Sequence, residues 1–538
     1  MLVFLIAVLG LDAWAVELAP ADFEKQQILW SDFESHMGGL HSHGSDERGM
    51  CLTGLVQRLR TDWHVLTPEQ RQSITQALAP SKQDLFEQPR TRPPPPTPLS
   101  DTCWESTKDN RIDTEHFSVQ WNDGDLDEDD AQDFADSLEE SWDIEVGELG
   151  WRAPTGTDQY LLRIEVERMQ GGGGGAYTTV GECGGVYMPY VVASSSSFRQ
   201  GNWYKTMACH ELHHAIQYAY GFAHEFWWWE ATATWVEDLV YPYANDWSTA
   251  LYMFSQSPHL GMNASAGQSN DQDLFWHTYG MGIWGMFLDQ KVGGNELVRA
   301  TWEESLGEWC QYCLWMPDVI EDVGEDFDAL FAEFLATTAV LDYRDRNMIN
   351  NVKRAATVRT MPAEGDAPSF GRPQSLGMNM IEFDEDLGVA GHVLEVTFNG
   401  SSSPDYWIAI LARGTQTVEE MVIFETNDVG DGMAYIPFEG DHPVHLVVSP
   451  VDESAQGYTF NWNGDNDFNY SWSARVVTED EVGLQQDEQT TDPTLSVGDF
   501  AMSDDPKGCS CTTTSARPLG GGLMLAMLGL LVGRRRQP

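Results

Sequence analysis

Met207-Ala208-Cys209-His210-Glu211-Leu212-His213-His214-Ala215-Ile216-Gln217 lies between Asn202, a residue suited to open a helix, and Gly221, one suited to close it. The interval predicts a helix of about five turns. Side chains four residues apart leave a helix on one face, one turn apart, so the imidazoles of His210 and His214 can meet on a single metal ion. Glu211 is offset by one position. That offset leaves its carboxylate beside the ion without taking a ligand position, where it can accept a proton from water. His213 shares a nearby face with His210, but only the pairing with His214 puts Glu211 in the base position. His213 is therefore read as structural or solvent-facing.

Zinc with hydrolytic chemistry needs a third protein ligand and one open coordination position. Gln217 and Tyr220 stand where an extended pattern with a third histidine requires Gly and His, which excludes the metzincin arrangement. Downstream, Trp227-Trp228-Trp229-Glu230-Ala231-Thr232-Ala233-Thr234-Trp235-Val236-Glu237-Asp238 reads as a second helix ending before Pro242. Folded back on the first, it aims Glu230 at the ion. Glu237, two turns further on, is either a carboxylate that orients a ligand histidine or a solvated helix-end acid. In Trp276-His277-Thr278-Tyr279, His277 and Tyr279 are candidate oxyanion stabilisers, and an aromatic helix packed on the core explains them equally well.

The two segments together resemble the gluzincin class of zinc metallopeptidases and, more closely, secreted metalloproteases of myxobacteria. The resemblance is strongest over residues 187–289. It implies a zincin-like catalytic domain, one zinc ion on His210, His214 and Glu230, Glu211 as general base, and protein or peptide substrates. The thermolysin-like members have Asp four residues after the ligand Glu; this chain has Thr234.

Composition sets the wider frame. A net charge of -54 over 538 residues excludes a basic footprint for DNA or RNA. The apolar run at residues 2–11 followed by Ala13-Trp14-Ala15 predicts an export signal, without the usual basic start. Near the other end, Cys509-Ser510-Cys511, an apolar stretch at residues 519–533 and Arg534-Arg535-Arg536 resemble a myxobacterial-type sorting tail. Such a tail holds the body outside the cytoplasm, in the membrane before any processing. Eight cysteines in an exported chain are read as disulfides. Outside the tail the favoured pairing is Cys51 with Cys103, Cys183 with Cys209, and Cys310 with Cys313.

The expected fold class is α+β. The expected order is a signal peptide at 1–15, a propeptide-like helical region with a Pro-rich linker at 16–98, and a zincin-like metallopeptidase domain at 112–358. A β-sandwich accessory domain at 372–476 follows, its short alternating strands separated by Gly, Asn, Asp and Pro turns. An acidic disordered spacer at 477–508 leads to the sorting tail at 509–538. The glycines at 171–175 have no helix-starting phosphate fingerprint, so no nucleotide cofactor is expected; they let an edge strand lie close to an extended ligand. Calcium is weighed at residues 123–130 and at Asp465-Asn466-Asp467 and not predicted, the first run being read as complement to a helix dipole. His36, His41 and His43 are read as loop histidines. The competing functional readings are a surface adhesion or scaffold protein with a structural metal, and a zinc hydrolase acting on something other than protein.

Overall fold

The computed structural model describes residues 65–78, 102–169, 175–199, 201–221, 226–264, 272–304, 316–349, 351–452 and 467–482, with scattered positions between 26 and 59. The signal, the Pro-rich linker, Cys310, Cys313, Asp465 and Asn466 of the polar turn, most of the acidic spacer and the C-terminal tail lie outside them. The fold is α+β. Among the described residues no helix is long and apolar enough to cross a membrane.

Near the N-terminus come β1 (Met50–Cys51) and α1 (Pro68–Leu78). Thr67 and Gln70 start α1 by a reciprocal capping box: the Thr67 amide donates to Gln70 Oε1 at 2.9 Å, and the Gln70 amide donates to Thr67 Oγ1 at 3.1 Å. Next are β2 (Asn110–Asp113), β3 (Phe117–Trp121) and α2 (Glu128–Trp142). The acidic run 123–130 opens α2. Asp127 caps it by accepting from the Asp130 amide, and three further acids fill the first turn, where the helix dipole favours them. After β4 (Leu162–Glu167) the hairpin of β5 (Gly175–Cys183) and β6 (Val186–Ser194) leads into α3 (Trp203–Gln217) and α4 (Phe226–Val240).

These strands form one mixed sheet in the order β1-β5-β6-β4-β3-β2. The β3–β4 and β4–β6 pairs are parallel and β5–β6 is antiparallel. Among the described residues, the apolar side chains of the N-terminal segment pack on the sheet. Leu29, Phe33, Leu55, Leu59 and Ile74 pack with Tyr177 and Val192 of the sheet, and β1 adds in parallel to β5 at Gly175 and Ala176. α3 packs against β5, β6, α2 and α4, which places its histidines between sheet and helices. Further helices complete this layer: α5 (Trp247–Gln256), α6 (Gln272–Gly280), α7 (Gly282–Phe287), α8 (Gly294–Glu303), α9 (Met316–Asp322) and α10 (Phe327–Val340). Gly285 allows α7 to lie directly on α4, where an added Cβ would come within 3.0 Å of the Trp235 side chain.

The C-terminal strands are β7 (Ala356–Val358), β8 (Ala363–Asp366), β9 (Asn379–Phe383), β10 (His392–Gly400), β11 (Tyr406–Gly414), β12 (Val418–Ile423), β13 (Asp431–Pro437), β14 (Val444–Val451) and β15 (Tyr470–Thr478). They build a sheet ordered β13-β10-β15-β8 and a sheet ordered β12-β11-β14-β9-β7. Leu394, Val396 and Phe398 of the first share one core with Ala409, Leu411, Leu446 and Val448 of the second, as a sandwich requires. The alternate residues Ile408, Ile410 and Ala412 point the other way, into the helical core, where α10 lies against β11. Burial on both faces explains why residues 407–411 read as one continuous apolar run.

The disulfide expectation needs correction. Cys103 bonds Cys183, with Cα atoms 6.0 Å apart, and Cys209 is a free thiol. Cys209 sits on the inner face of α3, fully buried, its Sγ 3.1 Å from the Thr206 carbonyl, while Cys183 lies at the far end of β5. Pairings of Cys51 with Cys103 and of Cys183 with Cys209 are both overturned.

Candidate metal centre

Asn202 precedes α3 as expected but makes no side-chain cap bond. The helix is anchored instead by burial, since every residue from Thr206 to Gln217 is inside the protein. α4 is held equally firmly, with Trp227, Trp228, Trp229 and Trp235 each at most 1% exposed. Rings of this size remove 150–250 Å² each from water, enough to fix the pitch and rotation of the helix that carries Glu230.

His210, His214 and Glu230 come together, and each offers a ligand atom within 4.8 Å of the others. Glu230 Oε2 lies 3.3 Å from His210 Nε2 and 3.4 Å from His214 Nε2. Donors bound at about 2.0–2.1 Å around a tetrahedral ion are separated by roughly 3.3–3.4 Å, so these edges have the length a zinc site needs. All three residues are at most 5% exposed. Buried carboxylates and imidazoles of this kind are costly unless paired or bound to a cation, so the donor set suits a divalent ion.

Hydrogen bonds orient the two imidazoles from behind. His210 Nδ1 lies 2.8 Å from Glu237 Oε1, and His214 Nδ1 lies 2.6 Å from Gln217 Oε1. Gln217 is itself fixed, donating through Nε2 to the Trp229 carbonyl at 2.9 Å and to Thr232 Oγ1 at 2.7 Å. Of the two readings for Glu237, the geometry selects the carboxylate that orients a histidine, His210 being a candidate ligand. Thr234, standing where thermolysin-like chains have Asp, lines the cleft. Gln217 was read only as a departure from the metzincin pattern. Its position three residues after His214, one turn along the same helix face, was the overlooked signal.

Charge follows geometry. Burial pulls the His210 imidazolium down, but the hydrogen bonds and charges of Glu230 and Glu237 outweigh it and raise the pKa to about 10. Burial pushes Glu230 up, yet the charges and hydrogen bonds of His214 and His210 hold it well below the usual carboxylate range. His213 faces away from the triad and is fully buried, with Nδ1 2.9 Å from Glu145 Oε2. Burial raises Glu145 well above the carboxylate range and lowers His213 well below the imidazole range, so the two form a neutral pair. His213 is structural, and the solvent-facing alternative is excluded.

Glu211 is 1% exposed and lines a cleft that it shares with His210, Glu237 and Tyr279. Thr178 on β5 holds it: Thr178 Oγ1 lies 2.7 Å from Glu211 Oε2 and 2.9 Å from the Glu211 carbonyl. Nothing in the sequence singled Thr178 out, because strand and helix meet only in the folded sheet. The oxyanion candidates separate. Tyr279 lines the cleft with its ring stacked 6.1 Å from that of His210. His277 Nε2 is turned to the Gly261 carbonyl at 3.0 Å, its ring stacks on Phe254, and burial lowers its pKa to about 4.

No protein-family model matches the chain, and no curated protein matches it. Among solved structures, the pre-peptidase C-terminal domain of a collagenase from Bacillus anthracis is 13% identical, with a TM-score of 0.15, over 23% of this chain and 100% of that one. A 4-O-methyl-α-glucuronidase with specificity for decorated arabinogalactans is 9% identical, with a TM-score of 0.14, over 52% of this chain and 30% of that one. The functional reading of the centre therefore stands on its own geometry.

Proposed function

We propose that this chain is an exported zinc-dependent metallopeptidase with its metal on His210, His214 and Glu230. The observation that carries the reading is the pair of 3.3 and 3.4 Å edges from Glu230 Oε2 to two imidazole Nε2 atoms, with Glu211 next to them in an open cleft. Zinc in such a site supplies Lewis acidity, lowering the pKa of water and polarising a carbonyl.

The remaining roles belong to the chain's own side chains. Glu211 accepts a proton from the attacking water and passes it to the leaving amine, with Thr178 fixing its carboxylate during both transfers. Glu237 and Gln217 keep the His210 and His214 rings turned so that Nε2 faces the centre. Tyr279 is the side chain best placed to donate to the developing oxyanion. Peptide is the favoured substrate, as the resemblance of the two helical segments to gluzincin-type zinc metallopeptidases implies.

Digestion of casein and of a peptide library by the purified chain, with and without a chelator, tests the proposal. Chelator-sensitive cleavage that zinc restores supports it. An intact substrate set in the presence of zinc overturns it and favours the scaffold reading.

A further inference from the structure

The cleft next to the centre has a wall that the hydrolytic machinery does not use. Trp203 of α3, Trp247 at the start of α5 and Trp276 of α6 line it together with Asp246. Asp246 is located by Thr206, whose Oγ1 donates to Asp246 Oδ2 at 2.5 Å. Thr206 precedes His210 by one helical turn, which puts this carboxylate about 6 Å along α3 from the candidate ligands. Among the described residues no Lys or Arg lines the cleft, and the charged side chains there besides Asp246 and His210 are Glu211 and Glu237. Lys205, the adjacent cation on α3, is directed elsewhere, with its Nζ over the Tyr241 ring.

Resting on the peptidase reading, we propose that Asp246 and the surrounding indoles form a specificity subsite for a cationic group of the peptide substrate. The aliphatic stem of a Lys or Arg side chain packs on the indole faces, and its charged head gains both the aromatic quadrupoles and the Asp246 carboxylate. A neutral side chain of the same length would strip water from that carboxylate without replacing its hydrogen bonds. The shared chemistry is a cation, carried by a Lys or Arg side chain or by a free α-amine.

N-acetylated peptides identical except for Lys, Arg, norleucine or citrulline, scanned through the positions flanking the scissile bond, provide the test. At one position kcat/KM for Lys or Arg is expected to exceed that for norleucine or citrulline by at least about tenfold. An unblocked norleucine series separates the two sources of charge: a gain there and not with internal Lys assigns the subsite to the α-amine. Asp246→Asn keeps an acceptor for Thr206 and is expected to bring the ratio to within about twofold, while Asp246→Arg reverses it in favour of Glu. Calorimetry with benzamidine on the metal-free chain gives a readout independent of turnover, and Asp246→Asn is expected to weaken that binding about tenfold. Equal cleavage of the cationic and neutral series, or an Asn variant that keeps the ratio, overturns the subsite alone. Failure to cleave any peptide with zinc present overturns the peptidase reading beneath it.

Discussion

Glu237 holds His210 from behind, its Oε1 2.8 Å from Nδ1, while the opposite ring nitrogen faces Glu230 at 3.3 Å. One imidazole thus links a carboxylate that orients it to the carboxylate proposed to share its ion. Glu237→Ala is expected to weaken zinc binding by about 10- to 100-fold without unfolding the chain. Competition with a chromophoric chelator measures this, and unchanged affinity would return Glu237 to the role of a partly exposed helix acid.

The same contacts set a pH dependence for metal uptake. His210 without metal titrates at about 10, so near neutral pH an incoming ion must displace a proton from it. Zinc affinity is expected to rise about tenfold per pH unit up to that value, with proton release visible by calorimetry in buffers of different ionisation enthalpy. The folded pKa lies above the ordinary 6.5, so this stabilisation of the metal-free fold is complete below about pH 6.5 and fades as pH climbs through 10. The Tm of the chelated protein should fall across that window.

Thr178→Val removes the hydroxyl that holds Glu211 and keeps the side-chain shape. A drop in kcat of about tenfold is expected, with zinc content and Tm nearly unchanged. Tyr279→Phe is expected to lower kcat by roughly 10- to 100-fold with little change in KM, as for loss of an oxyanion donor. Steady-state kinetics on one peptide separates both effects from weaker substrate binding.

The Cys103–Cys183 bond closes a loop of 80 residues that contains β2 to β4 and most of β5. Cys103→Ser is expected to cost about 2–5 kcal/mol of stability, read as a lower denaturant midpoint. Cys209, buried on α3, should resist thiol reagents until the protein unfolds.

Periodicity and spacing made α3, α4, the β5–β6 hairpin and the sandwich strands legible, because each carries its own apolar pattern and its own turn signals. His210, Glu211, His214 and Glu230 were legible for a related reason: helix geometry ties a four-residue spacing to one face, and a second helix nearby supplies a third group. Thr178, Asp246 and the Cys103–Cys183 pair were not. Each depends on contacts between elements far apart in sequence, and Thr178 and Asp246 are residue types common in strands and loops. The N-terminal segment reads from sequence as a propeptide-like helical region set off by a Pro-rich linker. It shares a core with the sheet because Tyr177 and Val192 present an apolar face that local patterning could not assign to a partner.

The central claim is that two imidazoles and one carboxylate hold a single ion whose fourth position is open to water. An anomalous difference map recorded at the zinc absorption edge on crystals of the zinc-loaded chain tests it most directly. The account predicts one strong peak about 2 Å from His210 Nε2, His214 Nε2 and a Glu230 carboxylate oxygen, with no fourth protein atom in contact. No peak at that place, or an ion closed off by Glu211 or another side chain, would contradict it.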